Sequence, residues 1–155
     1  MSTIQVEPVG EVVSDIENQR DERWGNIISE ILLDAKRFEP AALYGLQEFS
    51  HVEILFQFDQ LLESSVETRT RHPRENPNWP KIGIFAQRGR KRPNRIGATI
   101  CELVSVTGLS LRVRGLDAFN GSPVLDIKPV MAEFLPNRSN VRQPQWASEL
   151  MSTYF

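Results

Sequence analysis

The chain has 155 residues, 40% apolar and 25% charged, with a net charge of −2, the balance of one soluble domain able to bury its own core. No apolar run reaches the about 18–20 residues of a membrane span, the first residues lack the basic and apolar regions of a signal peptide, and the single cysteine, Cys101, excludes an internal disulfide and a multi-cysteine zinc site. The expected setting is the reducing cytoplasm, with no membrane and no metal.

Taken in chain order, Ile4-Gln5-Val6-Glu7 and Gly10-Glu11-Val12-Val13 read as a short strand run around Pro8. Trp24 to Phe38 places Ile27, Ile28, Ile31, Leu32 and Leu33 at spacings that fit a helix, while its isoleucines fit a buried strand. Glu39 to Gly45 reads as a short helix opened by Pro40 and ended by Gly45. Val52 to Phe58, rich in β-branched and aromatic residues, reads as a strand. Residues 64–81 form a long polar loop, of a length that in a compact domain is functional or disordered. Ile82-Gly83-Ile84-Phe85 is a short apolar strand.

Ile96 to Val106 and the alternating Leu109-Ser110-Leu111-Arg112-Val113-Arg114 flank Thr107-Gly108, a hairpin signature. Val124 to Ile127 follows the turn Asn120-Gly121-Ser122-Pro123. Beyond Pro136 the pattern weakens into a tail, 137–155, with one short helix around Trp146 to Met151. Short runs bounded by turn signals predict a mainly all-β fold. The expected architecture is one small β-barrel over residues 1–136, with short helices and long loops.

Charge is unevenly spread. Residues 1–68 carry 4 basic and 14 acidic groups, residues 69–95 carry 9 basic and one acidic, and residues 96–155 carry 5 of each. The middle stretch, Arg69, Arg71, Arg74, Lys81, Arg88, Arg90, Lys91, Arg92 and Arg95, sets up a field that attracts phosphate or polyanions. The alternative is a solvated loop neutralised by the acidic first half.

The sequence has no Walker loop, dinucleotide glycine fingerprint, zincin helix or nucleophile elbow. His51 and His72 sit in unrelated contexts, and His51 reads as a structural residue. Cys101 reads as a small buried residue rather than a nucleophile. Three segments depart from generic barrel sequence: Gly45 to His51, Ile82 to Gly97 and Gly115 to Pro129. The second leaves an apolar strand for a basic, glycine-containing loop stiffened by Pro93, able to present N–H groups and guanidiniums to an anion. The third puts Asp117 at a strand end and Asp126 and Lys128 on one face of the next strand. A carboxylate accepts hydrogen bonds from both hydroxyls of a ribose, so Arg88 and Asp117 together suit an amino-acid nucleoside.

Phe49-Ser50-His51, Phe85-Ala86 with Arg88, Arg92-Pro93-Asn94-x-Ile96-Gly97 and Asp117 to Pro129 resemble, in the same order, the TsaA-like family of TrmO/YaeB-type tRNA methyltransferases. The resemblance covers about residues 4–135. It implies a small homodimeric β-barrel that binds S-adenosylmethionine and methylates the exocyclic nitrogen of threonylcarbamoyladenosine beside the tRNA anticodon. Position by position, it implies a cofactor site of Asp59, Gln60, Arg88, Ala98, Arg114, Gly115, Leu116 and Asp117, with the loop around Arg23-Trp24-Gly25 nearby. Gln87-Arg88-Gly89 stands where the family has Thr-Arg-Ser, Arg95 where it has proline, and Val130 where it has tyrosine. Longer bacterial members add a C-terminal domain beyond the barrel.

The resemblance leaves the methyl acceptor to be assigned. Asp126 is the candidate for a catalytic, substrate-side role and Lys128 for orientation, against the alternative that the two satisfy each other. The leading expectation is a tRNA methyltransferase. The others are a methyltransferase for a small-molecule or other non-tRNA acceptor, and a non-enzymatic cofactor- or RNA-binding barrel.

Overall fold

Alternation of apolar and polar residues dictates the central architecture. In the computed structural model, which describes residues 2–16 and 22–155, every second residue of 51–57, of 110–114 and of the first half of 96–107 is buried. Strand β3 (His51–Gln57) buries Val52, Ile54 and Phe56; β6 (Ile96–Thr107) buries Gly97, Thr99 and Cys101; β7 (Ser110–Arg114) buries Leu111 and Val113. Together with β1 (Gly10–Val13), β2 (Ile28–Leu33) and β8 (Pro123–Pro129), they close a barrel in the order β1-β2-β7-β6-β3-β8. Every neighbouring pair is antiparallel. Closure pairs the strand edges that an open sheet would expose. The inward rows form one core of Val12, Ile31, Val52, Ile54, Phe56, Leu111, Val113, Leu116 and Val124. Each such burial is worth about 1.5–3 kcal/mol.

The segment that fits either helix or strand is β2. Ile31 pairs with Val12 on one side and Leu111 on the other, so strand pairing buries it on the barrel's inner face. The expected strand over Ile4–Glu7 does not form, and Ile4 is 85% exposed. Pairing starts at Val9, whose N–H donates to Val124 O at 2.7 Å, because Pro8 before it has no N–H to give. Ile82–Phe85 splits: Ile82–Gly83 (β5) pairs with Thr70–Arg71 (β4) in a two-stranded ribbon, and Ile84–Ala86 is a 3-10 turn. The expected helix after Glu39 is a 3-10 turn over Pro40–Leu43, and Gly45 takes φ +84. The β6–β7 hairpin turns at Gly108, φ +59. Helix α1 spans Gln145–Met151.

Antiparallel closure sorts the connections to two ends. Loops 14–27, 58–95 and 115–122 gather at one, called the loop end below; 34–50, the hairpin turn and the exit from β8 gather at the other. A bulge on β8, where Leu55 and Phe56 face Asp126 and Val124, leaves Leu125 unpaired. No helix among the described residues is long and apolar enough to cross a membrane.

Candidate functional site

At the loop end the chain leaves β7 through Gly115, whose φ of +88 suits glycine and whose N–H donates to Ile27 O at 2.9 Å. Leu116 and Ala118 are buried in the barrel, leaving Asp117 half-buried between them. Asp117 Oδ1 accepts a hydrogen bond from the Thr99 hydroxyl, and Oδ2 accepts one from the Tyr154 hydroxyl. Thr99 belongs to the inward row of β6, so this carboxylate caps the barrel mouth. Its charge reaches Cys101 on the same row. Burial, and then the Asp117 carboxylate, push the Cys101 thiol up to about 12.

Arg88 lies on the turn that follows Ile84–Ala86. Gln87 is buried beneath it, and its side-chain amide donates to Arg71 O at 3.0 Å and Ile82 O at 3.1 Å, clipping the turn to the β4–β5 ribbon. Arg92 donates to Gln87 O at 3.0 Å. Arg88 itself is exposed and donates to Ala98 O at 2.5 Å, so these two predicted residues are in contact.

Asp59 and Gln60 are exposed on the loop leaving β3, and Asp59 Oδ1 accepts from Ser122 Oγ at 3.2 Å. Arg95 pins that loop. Its carbonyl accepts from Phe58 N at 2.8 Å, and its guanidinium donates to Leu61 O at 3.0 Å. Arg114 pairs with Glu102 across β6 and β7 at 2.9 Å and leads into Gly115. The predicted cofactor residues Asp59, Gln60, Arg88, Ala98, Arg114, Gly115, Leu116 and Asp117 therefore collect at the loop end.

Asp126 and Lys128 stand elsewhere. The register sets them opposite Leu55 and Glu53 on the outer face of the barrel, where they form an ion pair. The hydrogen bond from Lys128 to Asp126 raises the ammonium's affinity for its proton, with Glu53 adding a smaller attraction. Leu55 also pairs with Ala98, so Asp126, Leu55 and Ala98 make one row across three strands. A groove of about 450 Å³ opens toward the other end, lined in part by Leu33, Phe38, Leu46, Phe49 and Ile127. It is remote from the polar constellation around Asp117.

Two contributors escaped the sequence reading. Thr99 is one of several strand threonines until the fold sets it beside Asp117. Tyr154 closes a segment read as a tail, and its one visible signal is a pair of aromatic residues, Tyr154-Phe155, ending a polar stretch. Among the described residues, the basic stretch finds its acidic partners both inside itself and in the first half. Lys91 and Arg71 pair with Glu75 inside it, Arg74 pairs with Glu22, and Arg90 lies 5.9 Å over the Phe119 ring.

The loop end fits an adenosyl ligand with an amino-acid moiety. Each Asp117 oxygen accepts one hydroxyl and keeps a second lone pair for a ribose hydroxyl. Arg88 offers an exposed guanidinium for a carboxylate. The Ser29 hydroxyl, one residue inside β2 from this end, is buried without a hydrogen-bond partner among the described residues. No group of three His, Cys, Asp or Glu among the described residues could hold a metal ion.

A closed six-stranded antiparallel barrel with polar residues gathered at one rim defines a small β-barrel domain. The chain belongs to the tRNA-methyltransferase O N-terminal domain family, whose model matches residues 19–134. It is 42% identical over 103 residues to the human tRNA (adenine(37)-N6)-methyltransferase, covering 66% of this chain and 23% of that protein. A probable S-adenosyl-L-methionine-binding protein of Methanothermobacter thermautotrophicus is 36% identical over 130 residues, covering 81% of this chain and 89% of that protein. The crystal structure of TrmO from Pseudomonas aeruginosa superposes with a TM-score of 0.74 at 27% identity, covering 94% of this chain and 62% of that one. The chain thus spans about a quarter of the human relative (23%) and less than two thirds of the crystallised one (62%).

Proposed function

We propose that this chain binds S-adenosylmethionine at the loop end and methylates the exocyclic nitrogen of the threonylcarbamoyl adenine beside the tRNA anticodon. The observation that carries the reading is the Asp117 carboxylate, held at the barrel mouth by Thr99 in a chain of this family, with Arg88 at the same end. The cofactor supplies a methyl group on a sulfonium, so the protein's task is alignment. Asp117 takes the ribose hydroxyls and Arg88 the amino-acid carboxylate, while Leu116, buried in the barrel, anchors the 115–117 segment that carries Asp117. Asp126 and Lys128 are the acceptor-side candidates through the outer row that runs from Asp126 by Leu55 to Ala98, where Arg88 bonds; a carboxylate there would receive the proton that the acceptor nitrogen loses.

The same reading includes a homodimer. It is supported by the outer row of β6, where Ile96 and Ile100 are 38% and 44% exposed beside Ala98. Light scattering at micromolar concentration tests it, and a monomeric mass would remove it.

Calorimetric titration of S-adenosylmethionine into wild type and Asp117→Asn tests cofactor binding. Loss of a charged hydrogen-bond acceptor should cost about 1–3 kcal/mol. Methyl transfer to tRNA with and without the threonylcarbamoyl group then tests the acceptor. A second reading, cofactor binding with a different acceptor, is favoured by the Methanothermobacter relative, which matches along 89% of its length and is named for cofactor binding alone. Cofactor binding without methylation of either tRNA would select it.

A further inference from the structure

We propose that residues 145–155 are a wall of the cofactor site, and that Tyr154 is a positioning residue that fixes the Asp117 carboxylate for the ribose. This rests on the cofactor reading above.

Three kinds of contact seat the segment on the loop end. Helix α1 is tied by Glu149, whose carboxylate accepts the Trp79 indole N–H at 2.9 Å. The main chain beyond it runs along the 22–25 loop: Arg23 N donates to Thr153 O at 2.8 Å and Trp24 N to Tyr154 O at 2.7 Å. Gly25 packs so closely on Phe155 that an added Cβ would stand 2.6 Å from its carbonyl carbon. Real Cβ atoms do not approach backbone that closely, so glycine at 25 is what lets the segment dock.

The docked segment aims one hydroxyl at the site. Tyr154 donates to Asp117 Oδ2, its ring meets Phe155 edge-on at 4.9 Å, and the Arg74 guanidinium lies 5.7 Å over it. Thr99 holds the other oxygen. A carboxylate on a loop turns about its last bond unless both oxygens are held. Two hydroxyls, one from the barrel interior and one from 37 residues further along the chain, stop that rotation. Each oxygen has two lone pairs, so the clamp leaves one on each, spaced for a vicinal diol. The segment's other anchors, on Trp79, Arg23, Trp24 and Gly25, do not involve Asp117. The phenol therefore stays in place when a ribose arrives, supporting the carboxylate rather than competing for it.

The test is calorimetry on the full chain with S-adenosylmethionine, comparing wild type with Tyr154→Phe, which keeps the ring and removes the hydroxyl. Weakening by about five- to tenfold is expected for one hydrogen bond on a charged acceptor. With the 2′-deoxy analogue of the ligand, whose contact with Asp117 is incomplete, the difference between the two proteins should shrink to within about twofold; a general structural defect would weaken both ligands alike. Gly25→Ala, which displaces the segment while keeping Tyr154, should also weaken binding. Unchanged or tighter binding by Tyr154→Phe would overturn the proposal, tighter binding meaning that the phenol occupies the ligand's place. If wild type itself fails to bind, the cofactor reading fails instead.

Discussion

The tip of the Phe56 ring presses on Gly97 across the β3–β6 ladder, and a Cβ at position 97 would stand 2.4 Å from Phe56 Cζ. The Ile96-Gly97 pair therefore has a packing cause: the ring of a fully buried phenylalanine fills the space of a side chain on the neighbouring strand. Gly97→Ala must displace Phe56 from the core. It is expected to destabilise the protein by about 1–3 kcal/mol, as overpacking does. Urea unfolding measures it; a change below about 0.5 kcal/mol would show that the ring yields freely.

Arg95 stands where the family resemblance implies proline, and its backbone here does not suit that residue. Its φ is +52, which proline's ring, locked near about −65°, forbids. Its N–H also donates to Arg92 O at 3.0 Å. Arg95→Pro is expected to cost about 3 kcal/mol or more and to disorder the 58–61 loop that carries Asp59 and Gln60. Arg95→Gly, which suits the left-handed conformation but loses the bond to Leu61 O, should stay within about 1 kcal/mol of wild type. Equal losses in the two variants would place the effect in the guanidinium rather than in the backbone.

The barrel was legible in the sequence because it rests on local signals, whereas the rim residues came from the family resemblance. Alternation marks β3 and β7, and glycine marks the turn at 108. What escaped depends on long-range placement. Ile28–Leu33 has an apolar pattern compatible with two periods, and β1 and β7 decide it by flanking it. Asp126 and Lys128 share a face, and the register that sets it outward opposite Leu55 and Glu53 is fixed by the pairing of β8 with β3. Tyr154 reaches Asp117 only because residues 145–155 fold back over the rim, which no periodicity announces.

Cys101 reports the charge of the site from inside the barrel. Its thiol is pushed up to about 12 from an ordinary value of 9.0, by burial first and then by Asp117. In the native protein it should resist iodoacetamide at pH 8, and Asp117→Asn should lower its pKa. The raised value also links to stability. Between pH 9 and 12 the unfolded thiol releases its proton while the folded one keeps it, so its contribution is full below pH 9. It falls as pH rises, by at most about 1.4 kcal/mol per unit. Cys101→Ser should flatten that alkaline slope; an unchanged slope between pH 9 and 11 would locate the titration elsewhere.

The basic stretch divides into cations that hold the loop and cations that face outward. Lys91 and Arg71 pair with Glu75, whose carboxyl is held below its usual range chiefly by the Lys91 hydrogen bond. Arg90 covers Phe119, Arg92 donates to Gln87 O, and Arg95 to Leu61 O. Arg69 and Lys81 are exposed at the ends of the β4–β5 ribbon; the Arg69 main-chain N–H chiefly holds the Glu67 carboxyl low, the two cations add a smaller pull, and neither makes an ion pair among the described residues. A tRNA backbone approaching this face would meet them first. Arg69→Ala with Lys81→Ala should therefore weaken tRNA binding and reduce its dependence on log salt by about 0.7–0.9 for each phosphate no longer neutralised, with little change in melting temperature. Arg90→Ala with Lys91→Ala should act in the opposite sense, lowering the melting temperature by releasing Phe119 and Glu75 and changing the salt slope less. Cofactor affinity should survive the first pair, since neither residue is among those assigned to the cofactor. Filter binding at two salt concentrations, with a thermal melt of each variant, separates the two groups. If the outward pair leaves the salt slope unchanged, the RNA path lies across another face of the barrel.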